Sequence, residues 1–407
     1  MRFWSSEPSQ QNLPVRTFPW LVICVTLGDM TATDNGSGTA RTEVDEPKVL
    51  REVHGRSGHL RLNRPKALNS LDLDMVTEVV EGLRAWRDDD SVDHIVVSSG
   101  HPKAFCAGGD VRAVRQAVLD GVPEQGEEFF RDEYEMNAMI AEFAQSKPYI
   151  AIIDGIAMGG GLGVSMHGSH RIVTERASAS MPEMAIGFIP DVGITHFSQH
   201  VNTRLGGPSS AIARFTGLTG YRLTAADMLW SGWATHAVPS AQLDEFVAAL
   251  DRDGIDSALA EYALDVDSAE ARDLLGDPQL AEWSDCIEAC FGADTWSEIE
   301  RALNEAAEAG SCASSTVETF RDLLAPANPE SLVAAVELYA ANSAHEVTLQ
   351  EALDREMKLG AYMRQHPNFA EGVRAVLVDK DRDAAFKPAT VQEVDVCLLY
   401  TSPSPRD

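Results

Sequence analysis

The sequence predicts an α/β fold of buried strands alternating with helices, followed by a long helical region. Two observations carry that prediction. Three short apolar runs, at His94–Ser98, Pro148–Asp154 and His170–Thr174, recur in a strand, loop, helix order, the pattern of crossover connections. From about Pro208 onward the chain becomes rich in Ala, Leu and Glu and loses its strand signals.

Taken in order, Val49–His54 and Gly58–Leu62 alternate as a short β-hairpin. Asn63–Ser70 is a polar turn. Ser70 or Asp72 can cap the next helix, which carries Met75, Val76, Val79, Val80 and Leu83 on one face and reaches about Trp86. Asp88–Asp90 ends it. His94–Ser98 is a buried strand and Gly100–Asp110 a loop leading into a helix. A helix over Gly126–Ser146 precedes the strand Pro148–Asp154. The glycine run Gly155–Gly163 then enters another helix, and His170–Thr174 is the third strand. The predicted organisation is an N-terminal extension (1–46), an α/β core (47–240), a mainly helical region (241–396) and a foreign tail (397–407).

Both ends set themselves apart. Met1–Thr42 is rich in Ser, Thr, Gly and Pro without a sustained period, and Met30 reads as the initiator. The apolar run Trp20–Leu27 is too short to span a bilayer. Cys397–Asp407 resembles a translated sequencing-library adapter, so native sequence is expected to stop near Val396.

The 407 residues are 44% hydrophobic, enough for a sizeable core. The 63 acidic against 33 basic residues give a net charge of -30, which repels nucleic acid and anionic membranes. A phosphate-bearing small molecule stays admissible, because backbone amides and a few local cations can hold it. The six cysteines show no paired metal-ligand spacing and are expected as reduced thiols in a cytoplasmic protein.

No phosphate-binding Gly-x4-Gly-Lys-Ser/Thr loop, His-Glu-x-x-His or Gly-x-Ser-x-Gly elbow occurs. Two glycine-rich loops remain, each directly after a buried strand. Their backbone N–H groups, at Gly109 and Gly160, could converge on one carbonyl oxygen as an oxyanion hole. Either loop by itself is more often a tight turn. Glu183 and Asp191 lie in the otherwise apolar stretch Ala179–Gly193. Burial there raises a carboxylate's pKa and suits it to base or nucleophile work. The plainer alternative for both is helix capping.

Leu62–Asn69, Ala104–Asp110, Asp154–Gly161, Met181–Glu183 and Ile189–Asp191, in this order, resemble the crotonase (enoyl-CoA hydratase/isomerase) superfamily. The resemblance implies a ClpP-like spiral of ββα units with a helical C-terminal region, CoA-thioester substrates, no metal or other cofactor, and homo-oligomers. It implies an oxyanion hole at Gly109 and Gly160, with Ala107, Gly108, Asp110 and Gly159 beside it. Lys66, Ala67 and Leu68 match the family's CoA-contacting turn.

Hydratases of this family use two glutamates. Glu183 matches the second, but Gly163 stands where the first falls, and the hydratase glycine after Ile-Pro is here Asp191. Glutamate and aspartate at these two places resemble the 3-hydroxyisobutyryl-CoA hydrolase branch. So do Arg131-Asp-Glu-Tyr134, Ala234-Thr-His236 and Phe369–Ala375 with Asp379-Lys-Asp381. The resemblance implies hydrolysis of 3-hydroxyisobutyryl-CoA in valine breakdown. Glu183 attacks the thioester or activates water, Asp191 assists, and Glu133 contacts the substrate hydroxyl. Glu133 could equally be a solvated helix charge. The rival readings are an enoyl-CoA hydratase or isomerase, and a non-catalytic CoA-ester-binding paralogue.

Overall fold

A computed structural model describes residues 46–395. The proposed initiator Met30, the residue 1–45 part of the extension and the 397–407 tail lie outside the described residues. Among the described residues ten strands form two sheets: β1 (Val49–His54), β2 (Ser57–Leu62), β3 (His94–Ser99), β4 (Ala104–Cys106), β5 (Tyr149–Ile153), β6 (Ile156–Met158), β7 (His170–Val173), β8 (Ser178–Ser180), β9 (Leu223–Thr224) and β10 (His236–Ala237). The large sheet has the order β1-β2-β3-β5-β7-β10 and the small one β4-β6-β8-β9. The β1–β2 and β8–β9 pairs are antiparallel and the other pairs parallel.

The two sheets explain the spiral. After β3 and after β5 the chain steps into the small sheet, then into helix, then returns one strand further along the large sheet, and after β7 it steps into the small sheet again. Helices, not return hairpins, separate the units of the spiral. They are α1 (Leu73–Arg87), α2 (Val111–Leu119), α3 (Glu124–Phe143), α4 (Gly160–Met166) and α5 (Ile194–His200). Thus β3–β4 leads to α2 and α3, β5–β6 to α4, and β7–β8 to α5, giving the ββα units expected from the resemblance. The predicted glycine loops therefore hold short strands, β4 and β6, that three-residue runs could not announce. Asp72, not Ser70, caps α1, accepting from the Met75 N–H at 3.1 Å.

Both faces of the central parallel strands β3 and β5 are buried. Ile95 and Val97 of β3 and Tyr149, Ala151 and Ile153 of β5 enter the main core. The alternate residues Val96, Ile150 and Ile152 pack with Phe246, Ala249, Leu250 and Ala258 on the other face. Those last four come from the helices Leu243–Asp253 and Ile255–Tyr262, so the start of the predicted helical region covers the sheet. No helix among the described residues is long and apolar enough to cross a membrane.

The thiol expectation needs correction. Cys286 and Cys312 form a disulfide with Cα atoms 5.6 Å apart, while Cys106 and Cys290 are free and buried. The partners are 26 residues apart in sequence: Cys286 lies on the helix Gln279–Phe291 and Cys312 in the bend before the helix Ser314–Leu324.

The step from β5 to β6 depends on Gly155, whose φ is +123°, with the Lys103 carbonyl 2.6 Å from where a Cβ would stand. Gly155→Ala is expected to cost about 2 kcal/mol or more in urea unfolding, through strain and backbone collision together. A loss within error of zero would show that this corner does not hold the two sheets in place.

Candidate active site

The two glycine loops meet. Leu71 bridges to Gly109 in parallel, its N–H donating to the Gly108 carbonyl and its carbonyl accepting from the Asp110 N–H. In that pattern the N–H of Gly109 points away from Leu71. Gly160 opens α4, so its N–H has no acceptor within the helix. A methyl group on Gly160 would lie 3.2 Å from the Gly109 nitrogen and would run into Glu133 Oε1. On Gly159, whose φ is +46°, it would lie 2.8 Å from Glu183 Oε1. The two loops and two of the predicted carboxylates are thus one site.

Asp191 completes it. Its Oδ2 accepts from the Tyr134 hydroxyl at 2.7 Å, one helix residue beyond Glu133. Glu133 is 1% exposed, Asp191 4% and Glu183 7%, which rules out a solvated charge for Glu133. Capping does not account for Glu183 or Asp191 either. The side chain of Asp191 serves Tyr134, and Glu183 makes no side-chain cap at its 3-10 turn, Glu183–Ile186. Glu133 Oε1 and Glu183 Oε2 are buried without a hydrogen-bond partner in the protein.

Burial dominates the electrostatics. It pushes the carboxyl of Asp191 up to about 7, against the opposing pull of the Tyr134 hydrogen bond and the Arg364 charge. Burial and then the charge of Asp191 hold Glu133 and Glu183 well above the usual carboxylate range. Asp191 is thereby poised to exchange protons near neutral pH.

Several participants escaped the sequence prediction. Arg364 is 3% exposed, its guanidinium stacks 4.3 Å over the Phe130 ring, and both Nη atoms lack a hydrogen-bond partner in the protein. Burial lowers its pKa, opposed by Tyr134, Asp191 and Glu133 among others, so it is the cation facing the buried acids. Val192 adopts φ +54°, a strained conformation for a β-branched residue. Three contacts hold that turn: His167 Nε2 donates to the Val192 carbonyl at 2.7 Å, the Gly193 N–H donates to Glu356 Oε2 at 2.7 Å, and Thr195 donates to Glu356 Oε1. Burial pushes Glu356 up to about 8 and His167 down to about 4. Arg364 and Glu356 both lie on the helix Leu349–Gln365, over 150 residues from Asp191, with no motif to flag them.

The remaining predicted positions surround this centre. Lys66 is exposed, and Ala67 and Leu68 are half-buried in the turn Pro65–Ala67 and its left-handed cap. The Ala107 N–H donates to the Leu68 carbonyl at 3.1 Å, tying that turn to the first glycine loop. Asp110 Oδ2 takes an Arg64 Nη2 bond at 2.9 Å and so serves the loop's structure. Gly108 (φ +103°) packs 3.2 Å from the Met158 carbonyl, counted from its Cβ position. At Gly163 a Cβ would meet Asn137 Oδ1 at 2.7 Å and Val192 Cβ at 3.0 Å, so no room exists for the first hydratase glutamate.

A spiral of ββα units with paired loop amides beside buried carboxylates defines a class. The enoyl-CoA hydratase/isomerase family profile matches residues 57–399, and the chain belongs to that family. Within it, the chain is 37% identical to human "3-hydroxyisobutyryl-CoA hydrolase, mitochondrial" over 85% of this chain and 86% of that one. It is 36% identical to "3-hydroxyisobutyryl-CoA hydrolase 1" of Arabidopsis thaliana, over 86% and 89%. Among solved structures it resembles a carnitinyl-CoA dehydratase from Mycobacterium thermoresistibile, with TM-score 0.77, 35% identity and coverage of 89% and 98%. An enoyl-CoA hydratase from Rhodobacter sphaeroides 2.4.1 gives TM-score 0.75, 32% identity and coverage of 88% and 97%. The family and the hydrolase-branch resemblance stand. The cytoplasmic expectation does not, because the human, Danio rerio and Xenopus laevis relatives are named mitochondrial.

The raised carboxyl of Asp191 makes a stability prediction. A carboxyl whose folded pKa lies above its unfolded value of about 3.9 binds more protons folded than unfolded. Its favourable contribution is full below about pH 4 and is lost as pH rises through about 7. Asp191→Asn should therefore raise the thermal midpoint more at about pH 8 than at about pH 5. An equal gain at both, or a larger one at the acid end, would refute the burial assignment.

Proposed function

We propose that the protein hydrolyses 3-hydroxyisobutyryl-CoA, or a closely related short 3-hydroxyacyl-CoA, to the free acid and CoA. The observation that carries this reading is the meeting of the Gly109 and Gly160 loops with the unpartnered oxygens of Glu133 and Glu183. The names of the relatives support the substrate class, and with it a place in valine breakdown.

In this mechanism the thioester carbonyl oxygen accepts from the N–H groups of Gly109 and Gly160. These strengthen as charge develops on that oxygen, which is where such donors lower a barrier most. Glu183 acts at the carbonyl carbon, either attacking it or taking a proton from water that does. The C–S bond breaks, the CoA thiolate departs and takes up a proton, and the hydroxyl of water ends on the acyl carbon. Asp191, poised near neutrality and steadied by Tyr134, relays protons between water and the departing thiolate. Glu133 Oε1 accepts from the substrate's 3-hydroxyl. The turn of Lys66, Ala67 and Leu68 receives the CoA moiety, with Ala107, Gly108 and Gly159 lining the approach. The reaction needs no metal or cofactor beyond the CoA carried by the substrate.

Hydration is disfavoured on geometry, since Asn137 and Val192 fill the space beside Gly163. Glu183→Gln is expected to lose at least about two orders of magnitude in kcat, the usual scale of acid–base work, while CoA-ester binding persists. Undiminished thioester turnover would sink the mechanism, and turnover of crotonyl-CoA instead would select the hydratase. A wild-type protein that binds the ester without turnover would select the binding paralogue.

Glu133 sets a separate test. A buried acceptor left unpaired rejects a ligand lacking the matching donor. Wild-type kcat/KM should favour 3-hydroxyisobutyryl-CoA over isobutyryl-CoA by roughly a hundredfold or more, and Glu133→Ala should collapse that ratio. A ratio unchanged by the substitution would remove Glu133 from substrate recognition.

A further inference from the structure

A second group of donor atoms lies outside the acyl site. In the β1–β2 ladder Glu52 stands directly opposite His59, and His54, two residues on from Glu52, shares its face. The helix Leu243–Asp253 brings Asp251 against them. His59 Nε2 is 2.8 Å from Asp251 Oδ1, and His54 Nδ1 is 3.6 Å from Asp251 Oδ2. One ligand atom from each of the three residues lies within 4.8 Å of the other two. A tetrahedral zinc ion with bonds of about 2.0–2.1 Å sets its ligands roughly 3.3–3.5 Å apart, a spacing these atoms reach with small side-chain rotations.

Two further observations point the same way. The other nitrogen of His54, Nε2, is 3.2 Å from Glu52 Oε2. A carboxylate on the far nitrogen of a ligating imidazole fixes its tautomer and raises its basicity. The histidines also line a cleft of about 390 Å³ with Glu52, Asp154, Asp244 and Arg61, where acids outnumber the cation.

We propose that His54, His59 and Asp251 form a binding site for a first-row divalent cation of the zinc type, with Glu52 orienting His54. Two imidazoles favour such ions over calcium or magnesium, which prefer all-oxygen sites. The cleft gives a water or small anion room to take the fourth position. Without the ion, His59 Nε2–H donates to Asp251; on coordination that bond is replaced and the proton passes to solvent. The ion joins the hairpin to a helix some 190 residues away in sequence, so its direct consequence is stabilisation of the folded chain. This inference shares no residue with the acyl-CoA site and stands independently of it.

The test is calorimetric titration of the EDTA-treated, dialysed full chain with ZnCl2, beside His54→Ala/His59→Ala and Glu52→Gln variants. Wild type should take up one ion at this site at micromolar concentration and melt at higher temperature with it. The double variant should lose that uptake and that shift, and Glu52→Gln should bind about tenfold more weakly. Melting without zinc checks that each variant folds; should the double variant not fold, the Glu52→Gln arm decides. Cobalt substitution separates this site from the Cys286, Cys290 and Cys312 sulfurs, which also lie close together. Nitrogen and oxygen ligation gives no thiolate charge-transfer band. No uptake by wild type, unchanged uptake by the double variant, or a thiolate band accounting for all the bound cobalt would overturn the proposal.

Discussion

Three acids buried around one pair of glycine loops are the constraint on which the structure turns. Glu133, Glu183 and Asp191 come from α3, a 3-10 turn and a strained loop; burial raises the cost of ionising all three, the Asp191 charge adds to it at both glutamates, and Glu133 adds to it at Glu183. A free-standing arrangement of this kind would relax by exposing a carboxylate to water. Here the surrounding elements prevent it, and the Arg364 guanidinium and the Tyr134 hydroxyl offset part of the charge. Like charges held together while dry are costly to folding and useful to proton transfer.

The helical region supplies the restraint. The Asn328 N–H donates to the Met184 carbonyl at 2.9 Å, and a Cβ on Gly372 would lie 2.6 Å from the Ile186 Cα, so two helices grip the turn that carries Glu183. Glu356 grips the turn after Asp191. The strain at Val192, on the order of 1–3 kcal/mol, persists because these contacts over-determine the turn. The mainly helical region predicted from sequence is therefore part of the site's scaffold. Its long helix contributes a clamp, Glu356, and a counter-charge, Arg364.

Legibility in the sequence followed the range of the interactions. The hairpin, α1 and the three strands of the large sheet were readable because period and capping are local, and β1 and α1 fall within a residue of their predicted bounds. The strands β4, β6 and β8 were not, because three residues carry no measurable period and pair only once the spiral has formed. Among site residues, those adjacent to glycine or proline motifs were found. Tyr134, Asn137, His167, Glu356 and Arg364 were not singled out for the site, since each acts through contacts across the fold. Glu133 showed the limit most plainly. Its helix position allowed a solvated face or a buried contact, and only packing of α3 against α4 decides between them.

Fold similarity leaves the reaction open, because two solved relatives with the same architecture are named as a dehydratase and a hydratase. The discrimination has to come from volume and charge at single positions. At Gly163 the volume is taken by Asn137 and Val192, and Val192 occupies it because the turn after Asp191 is held in a left-handed conformation. Asp191 and the missing glutamate are thus not two independent departures from a hydratase. The turn that aims Asp191 at Tyr134 is the same turn whose next side chain closes the space beside Gly163. Restoring a glutamate there would collide with Val192 and Asn137 before it could orient water. A change of reaction in this scaffold therefore requires the loop and the helix position to change together, with Glu356 as the residue that currently locks the loop.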